Sequence, residues 1–140
     1  MREAKKLYFT HCCAKKDDKL KGTNKKMSPQ ALYQSSKIQG FIKRCEEERV
    51  QWAIFSDKYA FVFPSDKIKW YDKHPKDVSE QEKKQLFDNA FNTLRNYDCA
   101  YFYYNPGRLH PLYRELVNEM RMRGINIQEI TSKYEIVKEQ

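Results

Sequence analysis

The stretch Lys5-Lys6-Leu7-Tyr8-Phe9-Thr10-His11-Cys12-Cys13-Ala14-Lys15-Lys16 concentrates reactive side chains at one point of the chain. An apolar extended run ends in two adjacent cysteines, and lysines follow. The thiolate is the nucleophilic form of cysteine, and neighbouring ammonium groups lower the pKa that governs it. Cys12 is therefore a candidate covalent catalyst, with Lys15 and Lys16 as its activators. An inert cysteine buried at a strand end fits the same spacing. Alternation along a strand points Cys12 and Cys13 to opposite sides and leaves Cys13 the weaker candidate.

Two other segments carry polar groups at the ends of apolar runs. Ser56-Asp57-Lys58 follows Val50–Phe55, and Asn105-Pro106-Gly107-Arg108 with His110 follows Cys99–Tyr104. Ligands of open α/β sheets bind at the carboxyl ends of strands, so three such ends predict one shared pocket. Free N–H groups of the Asn105–Arg108 turn, with the Arg108 guanidinium, suit a phosphate or carboxylate; a simple tight turn fits equally. His110 has the chemistry of a proton carrier, or is a solvent-facing loop histidine. Tyr59, Phe61, Phe63, Trp70 and Tyr71 either stack a base or pack beneath a long loop. There is no C-x-x-C pair, the three histidines are scattered, and Cys45 and Cys99 sit among apolar residues, which reads as core and not as a metal site. No cofactor is called for.

The elements that must hold these groups alternate along the chain. A strand near residues 6–12 leads through a lysine-rich loop to a helix opened by Ser28-Pro29. Its apolar face is Ala31, Ile38, Phe41, Ile42 and Cys45. Ser35 and Ser36 lie inside this helix, Ser35 toward the sheet and Tyr33 away from it. A buried strand over 50–56 precedes a long aromatic loop that includes a short extended piece. Ser79 and Glu82 form a capping box that starts a second helix, with Leu86, Phe87, Ala90, Phe91 and Leu94 as its core stripe. A strand at 99–104, a helix over 109–123 stopped by Gly124, and a strand at 125–130 complete the order βαβαβαβ. That order predicts one α/β domain over residues 1–140, with a mostly parallel sheet of about four strands and helices on both faces.

Charge is as uneven as the cysteines. Residues 1–44 hold twelve basic against three acidic side chains, and the remainder fifteen against sixteen, within a net charge of +8. A one-sided basic field favours a polyanion, nucleic acid being the commonest. No apolar run approaches 18 residues and no leader pattern follows the basic start, which predicts a cytoplasmic protein with no membrane partner. Eighteen Tyr and Phe residues exclude a disordered chain.

Several of these residues, taken together, carry a resemblance. Cys12-x-x-x-Lys16, Leu32-Tyr33-Gln34-Ser35, Ile54-Phe55-Ser56-Asp57-Lys58-Tyr59-Ala60, and Pro64 with Tyr71-Asp72 look like an uncharacterised family. That family is similar to the peroxide-response protein YaaA and, more distantly, to the catalytic domain of archaeosine synthase. The chain departs from the pattern at Cys13, where Ser or Thr is expected, at Asp57, where Ala is expected, and at Ala60, where Gly is expected. The resemblance covers about residues 7–72 and implies a small, Rossmann-like, three-layer α/β domain associated with nucleic acid (tRNA or DNA) or a modified nucleobase. It implies chemistry on a 7-deazaguanine base bearing a nitrile. By residue match Cys12 is the nucleophile, and Lys16, Tyr33 and Ser35 are its partners. Ser56, Asp57, Lys58, Tyr71, Asn105 and Arg108 complete the expected substrate-binding set. The alternative expectation is a non-catalytic nucleic-acid-binding or stress-response module that uses the basic N-terminal third. A base-excising glycosylase has only Asp57 at a strand end to activate water.

Overall fold

Strand β1 (Lys6–His11) buries both of its faces, Leu7 and Phe9 on one side and Tyr8 and Thr10 on the other. A strand with no polar face must lie in the middle of a covered sheet, and it does. The computed structural model describes residues 4–12 and 16–138. The remaining strands are β2 (Lys26–Met27), β3 (Trp52–Ser56), β4 (Ala60–Val62), β5 (Ile68–Lys69), β6 (Cys99–Tyr103) and β7 (Ile127–Ile130). Five of them form one sheet in the order β4-β3-β1-β6-β7, and β2 and β5 make a separate antiparallel pair. β1 runs parallel to both neighbours, with Tyr8 opposite Trp52 on β3 and Tyr101 on β6. The protein is thus mixed α/β, with a mostly parallel sheet.

The fifth strand comes from the aromatic stretch, and β4 is its short extended piece. After Ser56 the chain turns sharply and β4 pairs antiparallel with β3, Ser56 facing Ala60. Ala60 takes a left-handed conformation, φ 61°, which disfavours any residue with a Cβ. This is the position at which the resembled pattern has glycine. The turn keeps glycine's geometry without glycine.

Four helices carry the rest: α1 (Pro29–Leu32), α2 (Ser36–Glu48), α3 (Glu80–Leu94) and α4 (Pro111–Met122). The single helix expected from Ser28 onward is broken at Tyr33, whose backbone is extended. Ser35 is not inside a helix. It is the N-cap of α2, its hydroxyl accepting the Ile38 N–H at 3.1 Å. Short hydroxyl side chains compete for backbone N–H groups and so favour a cap over a helix interior. The capping box of Ser79 and Glu82 opens α3 as the spacing requires. Gly124, at φ 90°, follows the end of α4.

Two apolar cores flank the sheet. Leu7, Phe9, Phe55 and Phe102 pack with Leu86, Leu94, Leu116 and Val117 of α3 and α4. Tyr8, Trp52 and Ile54 pack with Leu32, Ile38, Phe41 and Cys45 of α1 and α2. Each fully buried Leu, Ile or Phe contributes about 1.5–3 kcal/mol, so these two layers hold the strand ends in place. Among the described residues no helix is long and apolar enough to cross a membrane.

Candidate active site

Cys12 lies one residue past β1, where its N–H still bonds to Phe55 O at 2.8 Å. That ladder bond brings it beside the end of β3 and hence beside Asp57. The Cys12 Sγ stands 3.6 Å from Asp57 Oδ1 and 3.4 Å from the Tyr113 hydroxyl, which α4 supplies from its first turn. All three side chains are buried, and they line a cleft of about 450 Å³ together with His11, His110 and Arg108.

The electrostatics of this floor reverse one expectation. Burial, then the Asp57 carboxylate, pushes the Cys12 thiol up to about 11, with the Tyr113 and Tyr71 hydroxyls only partly opposing them. No lysine among the described residues lowers the Cys12 thiol. Lys16 is itself buried, its Nζ 4.3 Å above the Tyr71 ring, and its backbone bridges to Tyr33. Cys13 and Lys15 lie outside the described residues. Burial likewise raises the Asp57 carboxyl above the usual carboxylate range, although Cys12 and Lys16 both favour its charge.

His11 adds an acceptor to the floor. Its Nδ1 lies 2.8 Å from Cys12 O, and a carbonyl only accepts, so Nδ1 carries the proton and Nε2 a lone pair. Burial and then Lys37 hold the ring near pKa 4, and it is neutral at physiological pH. The ring stacks on Tyr113 at 4.6 Å. Among the described residues His11 Nε2 and Asp57 Oδ2 have no hydrogen-bond partner although both are buried, in a protein interior where such atoms are rare.

The motif residues mostly lie elsewhere. Tyr33 does not point away from the sheet; it is fully buried, with its hydroxyl 2.6 Å from that of Tyr71. Tyr71 in turn sits 2.9 Å from Ser56 Oγ, which accepts the Lys58 and Tyr59 N–H groups. Tyr71 is only 4 % exposed, so it packs beneath the loop and offers no open face to a base. Lys58 is exposed above Tyr59 and Tyr71 and borders a second, smaller cavity shared with Asp57. Asn105 caps a single 3-10 turn by accepting the Gly107 N–H at 3.0 Å, and it does not reach the cleft. Nor do Ser35 and Ser56. Cys45 is core, whereas Cys99 is only partly buried.

A family model described as a family of unknown function, DUF6884, matches residues 7–138. The chain belongs to that family. No curated protein matches it. The match to DUF6884 begins at the first buried residue of β1 and runs past β7, so it takes in the whole cleft. Within this DUF6884 chain His11 and His74 are the residues that sequence reasoning missed, whereas His110 was read at a strand end facing the pocket. His11, His74 and His110 look scattered at positions 11, 74 and 110, yet all three line the cleft, with Lys73 and Tyr113. His74 and His110 come within 5.8 Å, ring to ring. Among the described residues no three His, Cys, Asp or Glu side chains are placed to hold a metal ion. For His74 and His110 the available signal was the proline that follows each, His74-Pro75 and His110-Pro111, which marks a cap at a helical start.

Proposed function

We propose that this cleft is a catalytic site that modifies a nucleobase of the 7-deazaguanine type through Cys12. One observation carries the reading: a thiol 3.6 Å from a buried carboxylate and 3.4 Å from a phenol, on the floor of a cleft of about 450 Å³. Because the thiol is held protonated near neutral pH, the sulfur needs a base at the moment of attack, and Asp57 Oδ1 is in reach. Sγ forms a bond to the nitrile carbon as its proton passes to Asp57. One C–N π pair moves onto nitrogen, and Asp57 returns the proton there, leaving a neutral thioimidate that an amine or water resolves. Asp57, where the resembled pattern has Ala, thus gains a role that the match alone did not assign. Lys16, Tyr33 and Ser35 shape the loop around it. The paired cores on the two faces of the sheet support the Rossmann-like, three-layer arrangement and the likeness to YaaA and archaeosine synthase. The test is mass spectrometry of the protein incubated with a nitrile-bearing deazaguanine nucleoside or tRNA. A covalent adduct is expected on wild type and none on Cys12→Ser, with polynucleotide affinity unchanged. Equal turnover by Cys12→Ala overturns the reading.

A second reading rests on a different surface. The β2–β5 pair sets Lys26 directly opposite Lys69, and Lys21 covers the Trp70 ring, with Lys19, Lys25 and Lys67 also exposed. Like charges facing across strands destabilise a sheet, and a bound polyanion relieves that cost. A nucleic-acid-binding module would use this ribbon. Charge reversal at Lys19 and Lys21 is then expected to weaken binding and flatten its salt dependence; binding that ignores salt sinks it.

A further inference from the structure

We infer that the outer half of the cleft is a built phosphoryl site, so that the ligand is a nucleotide and not a free base. This rests on the catalytic reading for the identity of the base, but its own support is separate. His74 caps a 3-10 turn by accepting the Lys76 N–H at Nδ1, 3.2 Å away. His110 caps α4 by accepting the Leu112 N–H at Nδ1, 3.1 Å away. Each capping bond occupies the Nδ1 lone pair and fixes the neutral ring with its proton on Nε2. The two rings meet edge to face at 5.8 Å. As two Nε2–H donors they offer each other no acceptor, and among the described residues neither Nε2 makes a hydrogen bond.

Cations surround the pair. Arg108 is exposed on the cleft wall with no acidic partner among the described residues. Lys73 is held by Glu82 from the first turn of α3 and lines the same cleft. Two imidazole donors, a guanidinium and an ammonium lining one cleft form a site for an oxyanion with several acceptor oxygens. The backbone amides of α4 do not contribute, because the Leu112 and Tyr113 N–H groups bond to His110 Nδ1 and O. The floor has the opposite character, since His11 Nε2 and Asp57 Oδ2 are unpartnered acceptors. A ligand that satisfies both ends carries an anion outward and N–H donors inward. A purine-type nucleoside monophosphate has that polarity, free or as a unit of a nucleic-acid strand.

Calorimetry with four probes tests this: inorganic phosphate, guanosine, guanosine 5′-monophosphate, and a short single-stranded RNA ending in a 5′-phosphorylated guanosine. The monophosphate is expected to bind at least about tenfold more tightly than guanosine, as one charge-assisted bond supplies. Arg108→Ala should remove most of that difference while guanosine affinity holds. Arg108 is exposed, so this variant leaves the fold intact, and Lys73→Ala gives an independent second variant. RNA bound more tightly than the monophosphate identifies a strand as the source; the reverse identifies a free nucleotide. Equal affinities for guanosine and its monophosphate, or an Arg108→Ala protein that keeps the difference, overturn the proposal. Phosphate that binds through Arg108 while guanosine does not upholds the anion site and removes the base reading alone.

Discussion

Two polar clusters sit at the same end of the sheet, within one residue of each other at Ser56 and Asp57, and they are built on opposite terms. In the first, Ser56, Tyr71, Tyr33 and Lys16 close a circuit. The Ser56 lone pairs take the Lys58 and Tyr59 amides, its proton goes to Tyr71, the Tyr71 hydroxyl meets that of Tyr33, and Lys16 lies on the Tyr71 ring. In the second, Cys12, Asp57, His11 and Tyr113 leave two buried acceptors without partners. A complete buried network rigidifies what it joins, whereas an incomplete one costs stability until something binds. Most of the residues that carry the resemblance hold the loop, and the open cluster is where the proposed site lies.

Breaking the closed cluster has the largest expected effect. Tyr71→Phe removes one hydroxyl and strands those of Tyr33 and Ser56 in the interior, a loss of about 1–3 kcal/mol by urea unfolding. A loss below a few tenths would show that the circuit carries no weight and would dissolve the contrast. The open cluster is tested next, through pH. The Cys12 thiol titrates at 9.0 when unperturbed and is raised to about 11 in the fold. Its contribution is therefore fully present below pH 9 and is lost as pH rises from 9 toward 11, because the unfolded chain ionises first. Stability of Cys12→Ala should fall less steeply over that window than wild type, and iodoacetamide should modify wild type only slowly at pH 7. Fast alkylation at neutral pH contradicts the buried, carboxylate-facing thiol. The smallest effect lies in the turn between the clusters. Ala60→Gly relieves a left-handed alanine at the cost of one buried methyl and of backbone entropy, a net gain of no more than about 1 kcal/mol.

Much of the frame was legible in the residues. The alternation of strand and helix, the capping box at Ser79, the stop at Gly124 and the parallel core all follow from local rules. Cys12 and Asp57 were placed at strand ends that face one pocket, and Arg108 joins them there. What escaped was decided by distant partners. The break at Tyr33 depends on a hydroxyl contact with Tyr71, 38 residues on, so the helical pattern from Ala31 to Cys45 reads as continuous. β4 exists because an alanine accepts a glycine-like φ. Lys16 reads as an activator of Cys12 because four residues separate them, but its ammonium finds an aromatic face instead. The pairing of the histidines has no signature beyond the proline that follows each, since the His74 and His110 rings meet only when two loops converge.

The position of β1 between β3 and β6 has a consequence for how the molecule is made. Its parallel partners lie 44 and 93 residues away in the chain, Tyr8 facing Trp52 and Tyr101. No short-range closure can align that central strand, so contact order is high and chain collapse must precede registry. The cleft needs residues 12, 57, 74, 108 and 110 at once. It can therefore form only after these distant segments have docked, and ligand protection during refolding would report a late step of assembly rather than an early one.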